Sequence, residues 1–190
     1  MTDFKTVVQV LAEGGVDFII VGGLAGVIHG AARLTFDVDV VYGRSSENVR
    51  RLVLALMPYH PYLRGAPRGL PFRWDAATIE RGLNFALTSD IGDVDLLGEI
   101  VGGGSFEALL PHSVTLQVYG VDCRCLGLEA LIQAKRAAGR PEDLEAIAEL
   151  EALLEERRRA AGCAHFRRDR RARCGGTRSP DDARNPRARQ

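Results

Sequence analysis

The sequence predicts an α/β (α+β) fold: a mixed, strongly twisted sheet of about five strands, helices packed mainly on one face, and a helical pair at the C-terminal end. Three features predict it. Short apolar runs at 17–21, 36–42, 84–89, 93–97, 114–119 and 121–126 are bounded by glycine, aspartate or proline turns, as strands are. Between them lie stretches whose apolar residues recur every three or four positions, the period of an amphipathic helix. Near the end, Gly139 closes one such stretch and Pro141 opens the next, the usual placing of glycine and proline at helix ends.

In chain order, Phe4, Val7, Val8 and Leu11 stand at i, i+3, i+4 and i+7 and predict a helix over 3–13, ended by Gly14-Gly15. A buried strand at 17–21 is broken by Gly22-Gly23. A short helix over 24–30 and a second strand over 36–42 follow. Ser45-Ser46-Glu47 caps a helix to about 57, with Val49, Leu52, Val53 and Leu56 inward and Pro58 as its stop. Residues 58–73 hold Pro58, Pro61, Pro67 and Pro71 with Gly65 and Gly69, and read as a long surface loop, a kind of segment that often carries function. Asp75 caps a short helix to about 81, and 84–89 and 93–97 form a hairpin turned at Asp90-Ile91-Gly92. Gly102-Gly103-Gly104 is a flexible break and 106–110 a helical turn stopped by Pro111; the strands 114–119 and 121–126 turn at Gly120. Helices over 128–138 and 141–159 close the order, the second with Leu144, Ile147, Leu150, Leu153 and Leu154 on its apolar face.

A hydrophobic fraction of 46% over 190 residues is enough for one domain with a real core. That domain is placed at 1–156, with an Arg-rich tail expected to be disordered at 157–190. No apolar run reaches 18 residues, so no membrane span is expected. Met1-Thr2-Asp3-Phe4-Lys5 lacks the basic-then-apolar order of a signal peptide, and a cytoplasmic protein is expected. Cys123, Cys125, Cys163 and Cys174 show no zinc or redox spacing and read as reduced thiols. The net charge of zero hides an asymmetry: 12 arginines against three aspartates give 157–190 a charge of +9, and 13 basic against 22 acidic side chains give 1–156 a charge of −9. Such a tail would attract nucleic acid electrostatically, although a charge run is more often only solvated. Lys5 and Lys135 are the only lysines beside 23 arginines, so a lysine near a site draws notice.

The chemistry concentrates in residues 21–40. A strand end meets Gly22-Gly23, a short helix follows, and 14 residues after Gly23 a second strand begins Asp37-Val38-Asp39. Strand side chains alternate faces, so Asp37 and Asp39 point the same way, roughly 6–7 Å apart. Either feature alone has a plain structural use: a glycine pair lets a helix pack closely on a strand, and acidic pairs at strand ends are often just solvated. Together, two hard carboxylates facing a glycine turn at a helix start suit a metal ion and the phosphates it bridges.

The block Gly22-Gly23 … Arg33-Leu34-Thr35-Phe36-Asp37-Val38-Asp39-Val40 resembles the signature of the polymerase-β-like nucleotidyltransferase superfamily, a Gly-Ser or Gly-Gly pair, a short helix, then Asp-x-Asp/Glu. Within that superfamily the chain is similar to small bacterial nucleotidyltransferase-like proteins related to abortive-infection and toxin–antitoxin transferases, whose Arg-x-Thr-x-Asp-hydrophobic-Asp is matched by Arg33, Thr35, Asp37 and Asp39. Their Lys-x-x-x-Gly-Arg-x-x-Asp segment is matched by Lys135, Gly139, Arg140 and Asp143. The resemblance covers about 5–156. It departs at Gly23, where a serine is commoner and would add a hydroxyl.

The resemblance implies Mg²⁺- or Mn²⁺-dependent transfer of a nucleoside monophosphate from an NTP, ATP among the candidates, to an acceptor left open between RNA or tRNA, a protein and a small molecule such as an aminoglycoside. It implies a third carboxylate from a neighbouring strand; Asp95, inside its strand, is favoured over Asp93 at the turn. Asp37, Asp39 and Asp95 would be the catalytic metal ligands, and Gly22, Gly23, Arg33, Thr35, Lys135, Arg140 and Asp143 the nucleotide-binding set. Three clustered aspartates would repel one another without a cation. A toxin role would imply a cognate antitoxin as partner. The rival readings are a catalytically silent nucleotide- or partner-binding module on the same fold, and a chiefly nucleic-acid-binding protein acting through its tail. His29 is expected to be packed or a surface group, not a ligand, and Trp74 with Phe72 either leans on a base or covers the core.

Overall fold

The computed structural model describes residues 1–67, 69–141 and 143–174, with 161–174 as backbone alone. The chain divides into two compact units, Met1–Leu154 and Glu155–Gln190. The elements of the first are α1 (Phe4–Glu13), β1 (Phe18–Ile20), α2 (Gly22–Ile28), β2 (Asp37–Tyr42), α3 (Ser46–Leu56), β3 (Tyr62–Leu63), α4 (Ala76–Arg81), β4 (Asn84–Ser89), β5 (Gly92–Leu97), β6 (Glu99–Ile100), β7 (Gly104–Ser105), α5 (Phe106–Leu109), β8 (Ser113–Val118), β9 (Val121–Leu126) and α6 (Leu128–Ala138). The last helix, α7 (Asp143–Cys174), begins in this unit and gives the second unit its described part.

The architecture is a mixed α+β sheet with helices. Seven strands, rather than about five, run in the order β3-β4-β5-β2-β1-β9-β8. The extra width has two sources: Tyr62–Leu63, inside the proline-rich loop, adds a short edge strand against β4, and the β8–β9 hairpin joins the same sheet at its other edge. β2 pairs parallel with β5 and β1 parallel with β9, while the β1–β2, β3–β4, β4–β5 and β8–β9 pairs are antiparallel. β1 is buried on both faces, with Ile19 and Ile20 fully buried, while β2 and β5 alternate and fully bury Val38, Val40 and Leu96 on one face.

Local chemistry explains the helix ends. Asp3, Ser45 and Asp75 each accept a hydrogen bond from the backbone N–H three residues on, satisfying donors that a first turn leaves open. Gly139 closes α6 in the left-handed conformation, φ +63°. α1, α3 and α4 pack together, while α2 lies against β2 and α6. Two boundaries differ from the sequence expectation. α2 begins at Gly22, so the glycine pair forms its first turn and does not precede it. α7 continues past Arg159 to Cys174, through a stretch rich in alanine and arginine, both good helix formers, with a bond from Arg159 Nε to Glu155 one turn back. The rest of the Arg-rich tail, 175–190, lies outside the described residues.

Candidate functional site

The parallel register of β2 and β5 builds the site. It sets Asp37 beside Asp93 and Asp39 beside Asp95, and the pleat turns all four to one side of the sheet. Val38, Val40, Val94 and Leu96 take the other side and are 0–1% exposed. One carboxylate oxygen from each of Asp37, Asp39 and Asp95 lies within 4.8 Å of the others. Asp93, at the hairpin turn, is outside this trio and is more exposed, 37% against 21% for Asp95. Three hard oxygen donors at this spacing fit a divalent cation such as Mg²⁺ or Mn²⁺.

The glycine pair is required by contact. Gly22 has φ +61°, and a Cβ there would lie 2.6 Å from Asp39 Cγ. A Cβ on Gly23 would lie 2.8 Å from Thr35 Cβ, so Thr35 fills the space that a side chain at 23 would need. The Gly23 N–H faces the Asp39 carboxylate and favours its charged form. Thr35 Oγ1 donates to the Asp37 carbonyl at 3.3 Å, pinning the entry to β2. Three of the sequence-predicted residues, Gly22, Gly23 and Thr35, therefore shape the backbone around the trio.

Charge at the site is unbalanced towards the negative. Burial raises the Asp39 carboxyl to about 6, helped by the charges of Asp37 and Asp95 and opposed by the Gly23 N–H and Lys135. Burial also raises Asp95, against the pull of a guanidinium that the sequence did not single out. Arg64 Nη2 donates to Asp95 Oδ1 at 2.6 Å, and Nη1 reaches Asp37 Oδ2 at 3.3 Å and Asp93 Oδ2 at 3.7 Å. Burial works against its charge, yet Asp95 and Asp37 hold Arg64 above its ordinary range. It stands just past β3 in the loop predicted to be functional, one arginine among 23, with no local pattern to mark it.

A cavity of about 300 Å³ opens beside the trio, lined by Gly22, Gly23, Asp39, Asp95, Lys135, Arg140 and Asp143, with Leu97, Ile100, Val101, Leu131 and Ala134 as an apolar wall. Lys135 Nζ donates to Asp143 Oδ1 at 2.6 Å, both side chains largely buried. Their sequence segment therefore comes back onto the glycine turn from α6 and the start of α7. Arg33 is not brought to this cavity. It lines a second one of about 200 Å³, on which Gly22, Gly23, Lys135 and Asp143 also border, and pairs with Glu145 at 3.4 Å on an exposed surface. Thr35 lines neither, being set beneath Gly23.

The remaining candidates are structural. His29 is buried, its Nε2 2.7 Å from the Leu126 carbonyl. Trp74 Nε1 donates to the Val53 carbonyl and its ring packs on the core, while Phe72 meets Tyr62 edge-on at 5.9 Å. Cys123 and Cys125 are buried on the inward face of β9 and form no disulfide; Cys125 Sγ lies 3.9 Å from His29 Nε2. No helix among the described residues is long and apolar enough to cross a membrane.

No protein-family model matches this chain, and no curated protein does. Among solved structures it is similar to a Thermotoga maritima protein described as a proposed nucleotidyltransferase, with 16% identity and a TM-score of 0.49, over 82% of this chain and 96% of that one. A likeness of that size transfers no chemistry, so the side chains above carry the functional reading.

Proposed function

We propose that the chain transfers a nucleoside monophosphate from an NTP to an acceptor, with release of pyrophosphate. The observation that carries this is the convergence of Asp37, Asp39 and Asp95 within 4.8 Å beside a cavity that Lys135 and Arg140 also line. Carboxylates on one side and cationic groups on the other suit a phosphate chain lying between them. Asp37, Asp39 and Asp95 would hold Mg²⁺ or Mn²⁺, which when bound offsets the charge of the triphosphate and of its leaving group.

The chain's own groups do the positioning. The absence of side chains at Gly22 and Gly23 makes room for Asp39 and Thr35, and both glycines border the cavity in which the phosphates would lie. Asp143 orients Lys135, which donates to phosphate oxygens, and Arg140 adds a second cation. The wall of Leu97, Ile100, Leu131 and Ala134 receives base and sugar, and Asp95 orients the acceptor hydroxyl. Thr35 supports the turn from beneath Gly23, and Arg33 borders the second cavity with Gly22, Gly23 and Lys135. The finer reading, a toxin of a toxin–antitoxin pair acting on RNA, protein or a small molecule, is supported only by the sequence resemblance.

The test uses α-labelled NTPs with Mg²⁺ or Mn²⁺ and total RNA or lysate. The wild-type protein should pass label to an acceptor, and Asp37→Ala with Asp39→Ala should cut transfer about 100-fold or more. No transfer from any NTP overturns the enzyme reading. NTP binding without transfer would favour the silent module, a reading that Arg64's hold on two of the three carboxylates supports.

A further inference from the structure

Arg64 reaches the trio by a defined track. Its backbone N–H donates to the Ala86 carbonyl at 2.9 Å, anchoring it at the edge of the sheet beside β4. Ala86 is the register partner of Asp95, and Asp95 of Asp39. Arg64, Ala86, Asp95 and Asp39 thus stand on one rung across the sheet. Paired residues share a face, so the methyl group of Ala86 is all that lies between Arg64 and Asp95, a span of about 10 Å at roughly 4.8 Å per strand. An arginine side chain covers that distance. Its backbone is tied down while its side chain is 31% exposed, so the guanidinium can swing away without moving the strand.

Resting on the metal-site reading above, we propose that Arg64 is a built-in competitor for the cation site. Its fork spans Asp37 and Asp95, two of the three residues that would hold the ion. A guanidinium and a divalent ion cannot both take the oxygens of that small cluster. The trio is therefore partly neutralised and held in place while empty of metal, and an ion enters by displacing Arg64 along the Ala86 track. The consequence is a raised metal threshold: the site loads only where the ion, alone or brought with a triphosphate, outcompetes the guanidinium. Once displaced, Arg64 faces the same side of the sheet as the incoming phosphates.

The experiment is calorimetric titration of the full chain with Mn²⁺ alone, comparing wild type, Arg64→Ala and Arg64→Gln, each checked for fold by circular dichroism. Both variants should bind Mn²⁺ roughly fivefold to tenfold more tightly than wild type, the scale of a part-exposed charged contact. A second readout keeps the idea exposed if a variant folds poorly: in the wild-type protein, the Arg64 side-chain N–H resonances should shift on adding Mg²⁺, while those of Arg44, which donates to the Gly82 and Glu80 carbonyls and not to the trio, stay put. Mn²⁺ binding that is equal or weaker in the variants, with unshifted Arg64 resonances, overturns the competitor role and leaves the metal site standing. Absence of Mn²⁺ binding in every protein overturns both.

Discussion

The two sides of β2 and β5 are made of alternating residues of the same strands, yet they are built on opposite terms. Val38, Val40, Val94 and Leu96 are sealed into the core at 0–1% exposure, whereas Asp37, Asp39 and Asp95 crowd like charges together within 4.8 Å. The apolar side gains free energy from every neighbour; the acidic side costs free energy until a cation is present. One strand pair can do both because the pleat separates its residues into two independent sets. Stability and function should accordingly come apart when each set is altered alone.

The largest effect is expected on the core side. Leu96→Ala should lower unfolding stability by about 2–5 kcal/mol in urea titrations, with Mn²⁺ affinity of the folded protein unchanged. Its neighbour Asp95 faces the other way. Asp39→Asn should do the reverse, weakening Mn²⁺ binding about tenfold or more while leaving metal-free stability equal or higher, because a charge held among like charges is removed. If both substitutions move both quantities alike, the two sides are not independent.

A middle-sized effect is expected where the turn meets the trio. Gly23→Ala puts a methyl group against Thr35 and should destabilise by roughly 1–3 kcal/mol. A double-mutant cycle with Thr35→Gly should show the two positions coupled, the pair costing less than the sum. Additive costs would mean that Thr35 is not what excludes a side chain at 23.

A further effect is in pH. The folded-state pKa of Asp39 is raised from 3.8 to about 6, so the folded protein holds this proton more tightly than the unfolded chain. Its contribution to stability is present below about 4 and is lost as pH rises through about 6. Asp95, also raised, adds the same sign. Urea titrations in EDTA between pH 4.5 and 7 should show this slope in wild type and a shallower one in Asp39→Asn. An unchanged slope would place the proton elsewhere.

Much of this contrast was legible in the residues. Period-two alternation put Asp37 and Asp39 on one side of a strand, and the capping residues Ser45 and Asp75 and the closing Gly139 marked helix ends where the structure has them. Lys135 and Asp143, eight residues apart, stood out through the scarcity of lysine and meet as a pair. The edge strand at Tyr62–Leu63 did not stand out, because two residues are too few to show a period. Arg33, grouped with the nucleotide set by its motif position, lines the second cavity with Gly22, Gly23, Lys135 and Asp143 and pairs with Glu145.

What the sequence determined by itself was local: the elements, their ends, and which side chains of one strand agree in direction. These follow from backbone geometry and nearest-neighbour hydrogen bonds, which a short window of residues contains. Only the tertiary structure decided that β5 lies parallel to β2 in a register that sets Asp95 beside Asp39, and that a loop residue 25 positions from Asp39 reaches over Ala86 to join them. Strand register and the reach of a long side chain depend on contacts between segments far apart in the chain, and no single segment encodes them.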